Sequence, residues 1–266
     1  MRPPVDVYGL IPVTNSDGAD ASYRLQWGRF VHTLSGSIGA THPNLPNRQG
    51  KADANRLWTV ADTIEYGPAT FRASYLESRV TVAFLNQFFD AFEQFGPQGQ
   101  ALHDRYDQES KRFRFVGLAA MYDVGQWFAM GEWGRANFHS VFGEHTAWYV
   151  TGGYRWKKLT PYATYAQSRA DNLSDPGLTV SALPPFLAGP ATQLNAALNA
   201  SLQSKVVQDS VSGGLRWDFM KNVDLKVQYD RMRISAGSTG ALVNTQPGFR
   251  LGTTVNLVSV GVDFVF

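Results

Sequence analysis

The sequence contains no cysteine, which excludes a disulfide framework and any thiolate metal site. It is also short of charge: 17% of its residues are Asp, Glu, Lys or Arg, against about 25% in an average soluble domain. The formal net charge is only +2, and no basic cluster interleaved with aromatics accompanies it, so nucleic acid is not an expected partner. No apolar run reaches the ~18 residues that a membrane helix needs. The first residues, MRPPVDVYGLIP, have neither the apolar core nor the small-residue cleavage site of a secretory leader. An exported chain needs such a leader, so on an export reading this sequence is expected to be a mature form or a fragment.

What is present is aromatic and alternating. Aromatics make up 13% of the 266 residues, yet the mean hydropathy is −0.23. A closed barrel in lipid reconciles the two, because apolar and polar side chains alternate along each strand and cancel in any window average. Period-2 alternation recurs from Ser22 onward. Trp148, Val150, Gly152 and Tyr154 alternate with Tyr149, Thr151, Gly153 and Arg155, and Val258, Val260, Val262 and Phe264 alternate with Ser259, Gly261 and Asp263. The pattern predicts strands over 22–28, 30–41, 56–66, 70–81, 111–123, 126–138, 146–157, 160–170, 209–219, 223–235 and 254–266. Such lengths suit the ~9–11 residues that cross a bilayer as a tilted strand.

Short connections at Gly28–Arg29, Gly67–Pro68, Val124–Gly125, Lys157–Lys158 and Lys221–Asn222 alternate with longer ones at 42–55, 82–110, 139–145, 171–208 and 236–253. One rim therefore has tight turns and the other has long loops, as in outer-membrane barrels. Counted back from the C-terminus, Phe266 lies on the tight-turn rim. Two loops read as partly helical: FLNQFFDAFEQFGP, with Phe84, Leu85, Phe88, Phe89, Phe92 and Phe95 at helical spacing, and PATQLNAALNASLQS, with Pro190 at its first position. An all-antiparallel ring needs an even strand count. VDVYGLI is a candidate twelfth strand; the other expectation is that N-terminal strands are missing. The expected fold class is thus all-β, an antiparallel transmembrane β-barrel with about eleven or twelve strands in residues 1–266 as one domain, or, as the family resemblance given below implies, part of a barrel of about sixteen strands.

The polar set of the alternation is expected to face the lumen: Arg24, Arg72, Arg112, Arg114, Glu132, Arg155, Lys157, Arg216, Asp218, Asp224, Lys226 and Asp230. Charged walls bias solute passage through the local potential, and the excess of arginine points to a mildly cationic wall with anion preference. The competing reading makes these residues ion pairs that stiffen the wall. The outer set, Trp58, Tyr66, Phe71, Trp127, Trp133, Trp148, Tyr154, Trp156, Trp217, Phe219 and Tyr229, fits aromatic girdles at the membrane interfaces. The core of a soluble β-sandwich is the alternative. Asp62 falls on the lipid-facing side and is a lapse in the pattern. A one-residue slip of register would exchange the two faces.

Catalytic and metal chemistry find little support. His139, Glu144 and His145 share a loop but match no zinc spacing. LSGSIG at 34–39 lacks the first glycine of a nucleophile elbow and lies in a predicted strand. No phosphate-cradling glycine loop is present. The Phe-rich segment 84–95 would narrow the pore if folded inward. An external cap is the other reading, favoured because an aqueous lumen offers its rings no apolar partner.

These residues carry a family resemblance. RPPVDVYGLIP at 2–12, DGADASYR at 17–24, LKVQYDRMRI at 225–234 and the terminal VGVDFVF make the chain similar to the proteobacterial outer-membrane porins. The resemblance implies a bacterial outer-membrane location and a water-filled channel for passive diffusion of small hydrophilic solutes. It implies no catalytic residue, no cofactor and no metal. It further implies a homotrimer in outer-membrane lipid and insertion by the barrel-assembly machinery, with Val262, Phe264 and Phe266 as its recognition signal. The family's acidic constriction-loop motif is not recognisable. RPPVDVYGLIP is expected well inside such a protein, which favours an N-terminally truncated member over a complete twelve-stranded barrel. The contrasting expectation is a structural or adhesive barrel with a plugged lumen and partner-binding loops.

Overall fold

The computed structural model describes residues 4–11, 15–44, 51–138, 140–171, 173–242, 245–246 and 248–265. Its strands are β1 (Asp17–Trp27), β2 (Phe30–Thr41), β3 (Ala52–Tyr66), β4 (Ala69–Val82), β5 (Lys111–Asp123), β6 (Trp127–Phe138), β7 (Gly143–Tyr154), β8 (Leu159–Ala170), β9 (Gln208–Met220), β10 (Val223–Ile234) and β11 (Thr254–Phe264). Every predicted strand is found. β1 and β3 begin several residues earlier than the alternation marks, because Ala, Asp and Gly at their upper ends carry no apolar period. β7 runs from 143 to 154 rather than 146 to 157, since the turn takes up Arg155, Trp156, Lys157 and Lys158.

The strands form one sheet in chain order, β1 through β11, each pair antiparallel. Each strand therefore pairs with the one before it, and local hairpins build the whole wall. The lower rim turns are tight. Gly28 and Gly67 take φ of 60° and 54°, and Asn222 takes 62°, a left-handed conformation that glycine, and less readily asparagine, adopts without clash. The upper rim carries the long connections. Helices α2 (Ala83–Asp90) and α3 (Pro97–Tyr106), with a 3-10 turn at Glu93–Phe95, lie in one, and α4 (Pro185–Gln203) in another. α3 lies beyond the segment 84–95 that reads as helical in the sequence. Pro190 sits inside α4 rather than at its start.

The candidate twelfth strand is a helix. Val5–Tyr8 form the short helix α1, preceded by Pro4, whose fixed φ suits a helix entry. β1 and β11 are the two ends of the strand order. With eleven strands reversing at every turn, these two run in the same direction, so an all-antiparallel wall closes only with an odd number of strands between them. In hydrocarbon their edge groups must be paired.

Register separates two faces. The outward one carries Val60, Leu118, Val150, Leu215, Val227 and Val260, all exposed. Below this band lie aromatic pairs such as Phe30–Tyr66, stacked at 4.7 Å, and Tyr122–Trp127 at 5.3 Å. Above it lie Trp58–Tyr75 and Trp148–Tyr165, at 5.1 and 5.4 Å. Two girdles around an apolar band are what a bilayer selects. Asp62 does face outward. It lies opposite Leu34 and Ala73 in regular pairing, and His32 Nδ1 meets its Oδ2 at 2.9 Å. The β3 bulge lies elsewhere, between Asn55 and Trp58, so the histidine and not a kink accommodates the carboxylate.

Candidate pore lining and constriction

The inner face is built from the opposite parity. Following the register from β6 across to β11, Glu132, Tyr149, Thr164, Ser210, Asp230 and Ser259 share it. Residues 4–11 lie against this wall, with α1 touching β6, β7 and β8. Gln208 Nε2 and Ser210 Oγ donate to Asp6 Oδ1 at 3.0 and 3.1 Å, and Asp6 is 2% exposed. The hydroxyls of Tyr8 and Tyr149 both donate to Glu132 Oε1, at 3.0 and 2.8 Å. Gly134 leaves room for the segment: a Cβ there would stand 2.8 Å from the Phe115 ring and 3.0 Å from Leu10 Cδ1. A helix held by polar bonds at Asp6 and Tyr8 thus lies against the inner face of β6, β7 and β8. Beside it a small cavity is lined by Asp6, Ser210, Ser212, Gln228 and Asp230.

The structure brings together only part of the expected lining. Arg72, Glu132, Arg155, Arg216, Asp224, Lys226 and Asp230 do face inward. Arg112 and Arg114 do not. They share parity with Val116, Leu118 and Tyr122 on the outer face, where both approach Glu77, at 2.7 and 3.5 Å. Phe113 and Phe115 take the inner positions, where they pack with the apolar cluster of the docked N-terminal segment and the loop helices. Lys157 is also misplaced by sequence. It lies in the tight turn after β7 at φ 55°, with its ammonium 6.0 Å from the Trp156 ring.

The inner wall is not cationic. Its positive groups are Arg24, Arg72, Lys111, Arg155, Arg216 and Lys226, against Asp20, Glu65, Asp123, Glu132, Asp218, Asp224, Asp230 and Asp263. Most are paired. Arg155 grips both oxygens of Asp123 at 2.7 Å. Arg216 holds Asp218 at 2.6 Å and Asp224 at 3.2 Å, and Lys226 meets Asp263 and Asp224. Arg72 differs: its guanidinium donates to the Thr63 hydroxyl at 3.1 Å, and no described carboxylate lies in ion-pair reach. The arginine excess read from sequence is therefore removed by two reversed residues, one turn residue and the neighbouring acids.

The mouth is capped by the loop helices. Phe89 and Phe92 are fully buried, as are Leu198 and Leu202 of α4. They join Val7, Leu10, Phe113, Ala147 and Ala166 in one apolar cluster. The rings of 84–95 thus find their partners in the 171–207 connection and in the top of the wall. Asp175 ties the two loops. It accepts from the Tyr106 hydroxyl at 2.6 Å, the Arg105 guanidinium at 3.0 Å and the Gly177 N–H at 2.7 Å. Burial, and then the bond to Asp175, push the Tyr106 hydroxyl up to about 12. Burial alone would raise the Asp175 carboxyl, but its three donors together hold it below the ordinary carboxylate range. A depressed carboxyl stabilises the fold above its unfolded value, about 3.9, and loses that effect as pH falls through its native value. The protection factors of the α3 amides, that is, exchange rates referred to the intrinsic rate at each pH, should therefore fall between pH 6 and pH 2, by up to roughly tenfold for the 1–3 kcal/mol of such a buried acceptor. Asp175→Asn should remove most of that difference; equal protection factors at both pH values in the native chain would contradict it.

Among the described residues, no group of three His, Asp or Glu could hold a metal; His139 lies outside them. LSGSIG lies within β2, as expected. Sequence reasoning missed Asp6, Tyr8, Leu10 and Gln208, whose roles arise only from docking of the N-terminal segment.

A sheet with an apolar outer band, two aromatic girdles and a polar inner face defines a transmembrane barrel wall. The sequence model of the Gram-negative porin family matches residues 13–237, and the chain belongs to that family. The family and this wall place it in the bacterial outer membrane. Solved structures agree in fold. The anion-selective porin from Comamonas acidovorans is 12% identical with a TM-score of 0.53, over 92% of this chain and 58% of that one. The outer-membrane channel DcaP of Acinetobacter baumannii is 13% identical at 0.50, over 82% and 56%. OmpF of Salmonella typhi, in complex with daunomycin, is 14% identical at 0.51, over 88% and 61%. The chain thus spans about three fifths of the length of these structures. Comparison with curated proteins finds no match.

Proposed function

We propose that residues 1–266 belong to one barrel domain whose wall encloses a channel for passive diffusion of small hydrophilic solutes. The observation that carries this is the polar inner face of the wall, with α1 docked on β6, β7 and β8. Selection would rest on size and on paired charges. Arg72, the inward cation without a carboxylate partner, is the strongest candidate for attracting anions; Glu132, Asp224 and Asp230 act on the other side of the balance. The anion preference of the Comamonas relative is named for that protein. Here six inward cations face eight carboxylates, which supports weak selectivity.

We further propose assembly as a homotrimer in outer-membrane lipid, with insertion guided by the alternating C-terminal strand. Val262 and Phe264 are outward and exposed, at 54% and 66%; Phe266 lies outside the described residues. The second reading, a plugged structural or adhesive barrel, draws on the apolar cluster that joins α1 to the loop helices. Planar-bilayer recording separates them. Stepwise conductance supports the channel, with a reversal potential in a salt gradient near zero that moves toward cation preference in Arg72→Glu. A persistently closed bilayer with folded, heat-modifiable protein supports the plug and sinks the channel.

A further inference from the structure

Two inner-face carboxylates stand outside the ion pairing of the lumen. Asp6 is 2% exposed and Asp230 8%, and both line the cavity beside α1, together with Ser210, Ser212 and Gln228. Register assembles the wall side of this patch. Ser212 on β9 lies opposite Asp230 on β10, and Ser210 and Gln228 are the next inward positions on the same two strands. Docking of α1 then brings Asp6 against them, through its bond from the Ser210 hydroxyl.

Hydrogen bonds use only part of this oxygen. The Ser212 hydroxyl and the Gln228 amide both donate to Asp230 Oδ1, at 2.5 and 2.7 Å. Asp230 Oδ2 is buried and, among the described residues, has no hydrogen-bond partner. Gln208 and Ser210 likewise both address a single oxygen of Asp6, Oδ1. The inward cations of β9 and β10, Arg216 and Lys226, pair with Asp218, Asp224 and Asp263 instead. Among the described residues no basic group lies in ion-pair reach of Asp6 or Asp230. A buried carboxylate without a counter-charge is costly, and two that share one cavity also repel. A cation between them removes both penalties.

We propose that the cavity between α1 and the wall binds one Ca²⁺ ion, with the Asp6 and Asp230 carboxylates as its charged ligands. The cavity measures about 30 Å³, room for one small ion and about a water or two. Its polar lining offers oxygens, which select a hard cation, and two negative charges match a divalent one. Only two carboxylates contribute, so serine hydroxyls, the Gln228 carbonyl and water complete the shell. Ca²⁺ accepts such an irregular set, whereas Mg²⁺ demands a near-ideal octahedron. The ion would clasp α1 to β9 and β10 whether or not the lumen conducts, so the proposal does not rest on the channel reading.

The test uses the full chain folded in detergent, stripped with a chelator and titrated with radioactive Ca²⁺ by equilibrium dialysis. One saturable ion per chain is expected, with a dissociation constant of roughly 10⁻⁴–10⁻³ M, as for weak oxygen sites. Asp230→Asn keeps the shape and the bond from Ser212, and should weaken binding by roughly tenfold or more, because ligand charge sets the affinity. Asp20→Asn, an inward carboxylate of β1 outside the cavity, should leave binding unchanged. Absence of a saturable site in the native chain overturns the proposal, as does equal binding by the native chain and Asp230→Asn. An infrared band of a neutral carboxyl near neutral pH, abolished by Asp230→Asn and untouched by Ca²⁺, would put a proton in the ion's place and also overturn it. Should Asp230→Asn fail to fold, Asp6→Asn carries the same expectation, and the titration of the native chain decides alone. Conductance of the same protein in a planar bilayer shows separately whether the lumen is open.

Discussion

Replacing Asp6 by alanine should free the constriction helix from the wall and widen the channel. The Asp6 carboxylate is the shared acceptor of Gln208 and Ser210, and the three side chains are buried together at 2%, 1% and 6% exposure. Removing the acceptor leaves the buried Ser210 hydroxyl without its carboxylate and Gln208 Nε2 with only Ser210 Oγ, at 3.3 Å, at a cost of about 1–3 kcal/mol. Each 1.4 kcal/mol is a factor of ten, so the undocked state should gain roughly tenfold or more in population. The helix is only four residues long and has no helical stability of its own to hold it in place. Single-channel recording should then show a larger conductance level, visited far more often than in the native chain. Tyr8→Phe should act in the same direction but less, because Tyr149 still donates to Glu132. An unchanged distribution of levels in a folded Asp6→Ala barrel would show that α1 does not limit the passage.

Phe89→Ala should unfasten the mouth while sparing the wall. Phe89 is fully buried and its ring stacks on Tyr106 at 5.9 Å and meets Phe88 at 4.9 Å. Truncating a buried phenylalanine typically costs about 3–5 kcal/mol. The loss falls on the 83–110 and 171–207 connections, since the strands below are held by their own ladders. Hydrogen exchange should rise sharply in α2, α3 and α4 and stay low in β5 to β9. Protection lost uniformly across those strands would mean that the cap and the wall fold as one unit, contrary to this expectation. The two variants test different obstructions. If Phe89→Ala raises conductance and Asp6→Ala does not, the loop helices set the width; the reverse result assigns it to α1.

The strands were open to reading because each hairpin is local. Alternation such as Val258, Val260, Val262 and Phe264 against Ser259, Gly261 and Asp263 needs only a period of two. The positive φ at Gly28, Gly67 and Asn222 agrees with turn residues visible in the text of the chain. Arg112 and Arg114 show where that reading stops. Their parity was available, since they fall in step with Val116 and Leu118. Their height was not. β5 has 13 residues, more than the ~9–11 that cross the bilayer, so its upper end rises past the girdle and an outward arginine meets headgroups instead of hydrocarbon. VDVYGLI fails for a related reason. Its apolar residues suit a strand, but Asp6 finds its acceptor role only where Gln208 and Ser210 stand, some two hundred positions away in the chain.

By itself the sequence determined the wall: eleven antiparallel strands, their short and long connections, and an outer face of aromatic girdles around an apolar band. Nearest-neighbour pairing and period-two sterics require nothing beyond adjacent residues. Only the tertiary structure decided what occupies the interior and how its charges balance. Docking of α1, closure of the mouth by α2 to α4, and the pairing of Arg155 with Asp123 or Arg216 with Asp224 all join groups on different strands or loops. Such contacts depend on the height and rotation of each strand within the assembled sheet, which no local pattern encodes.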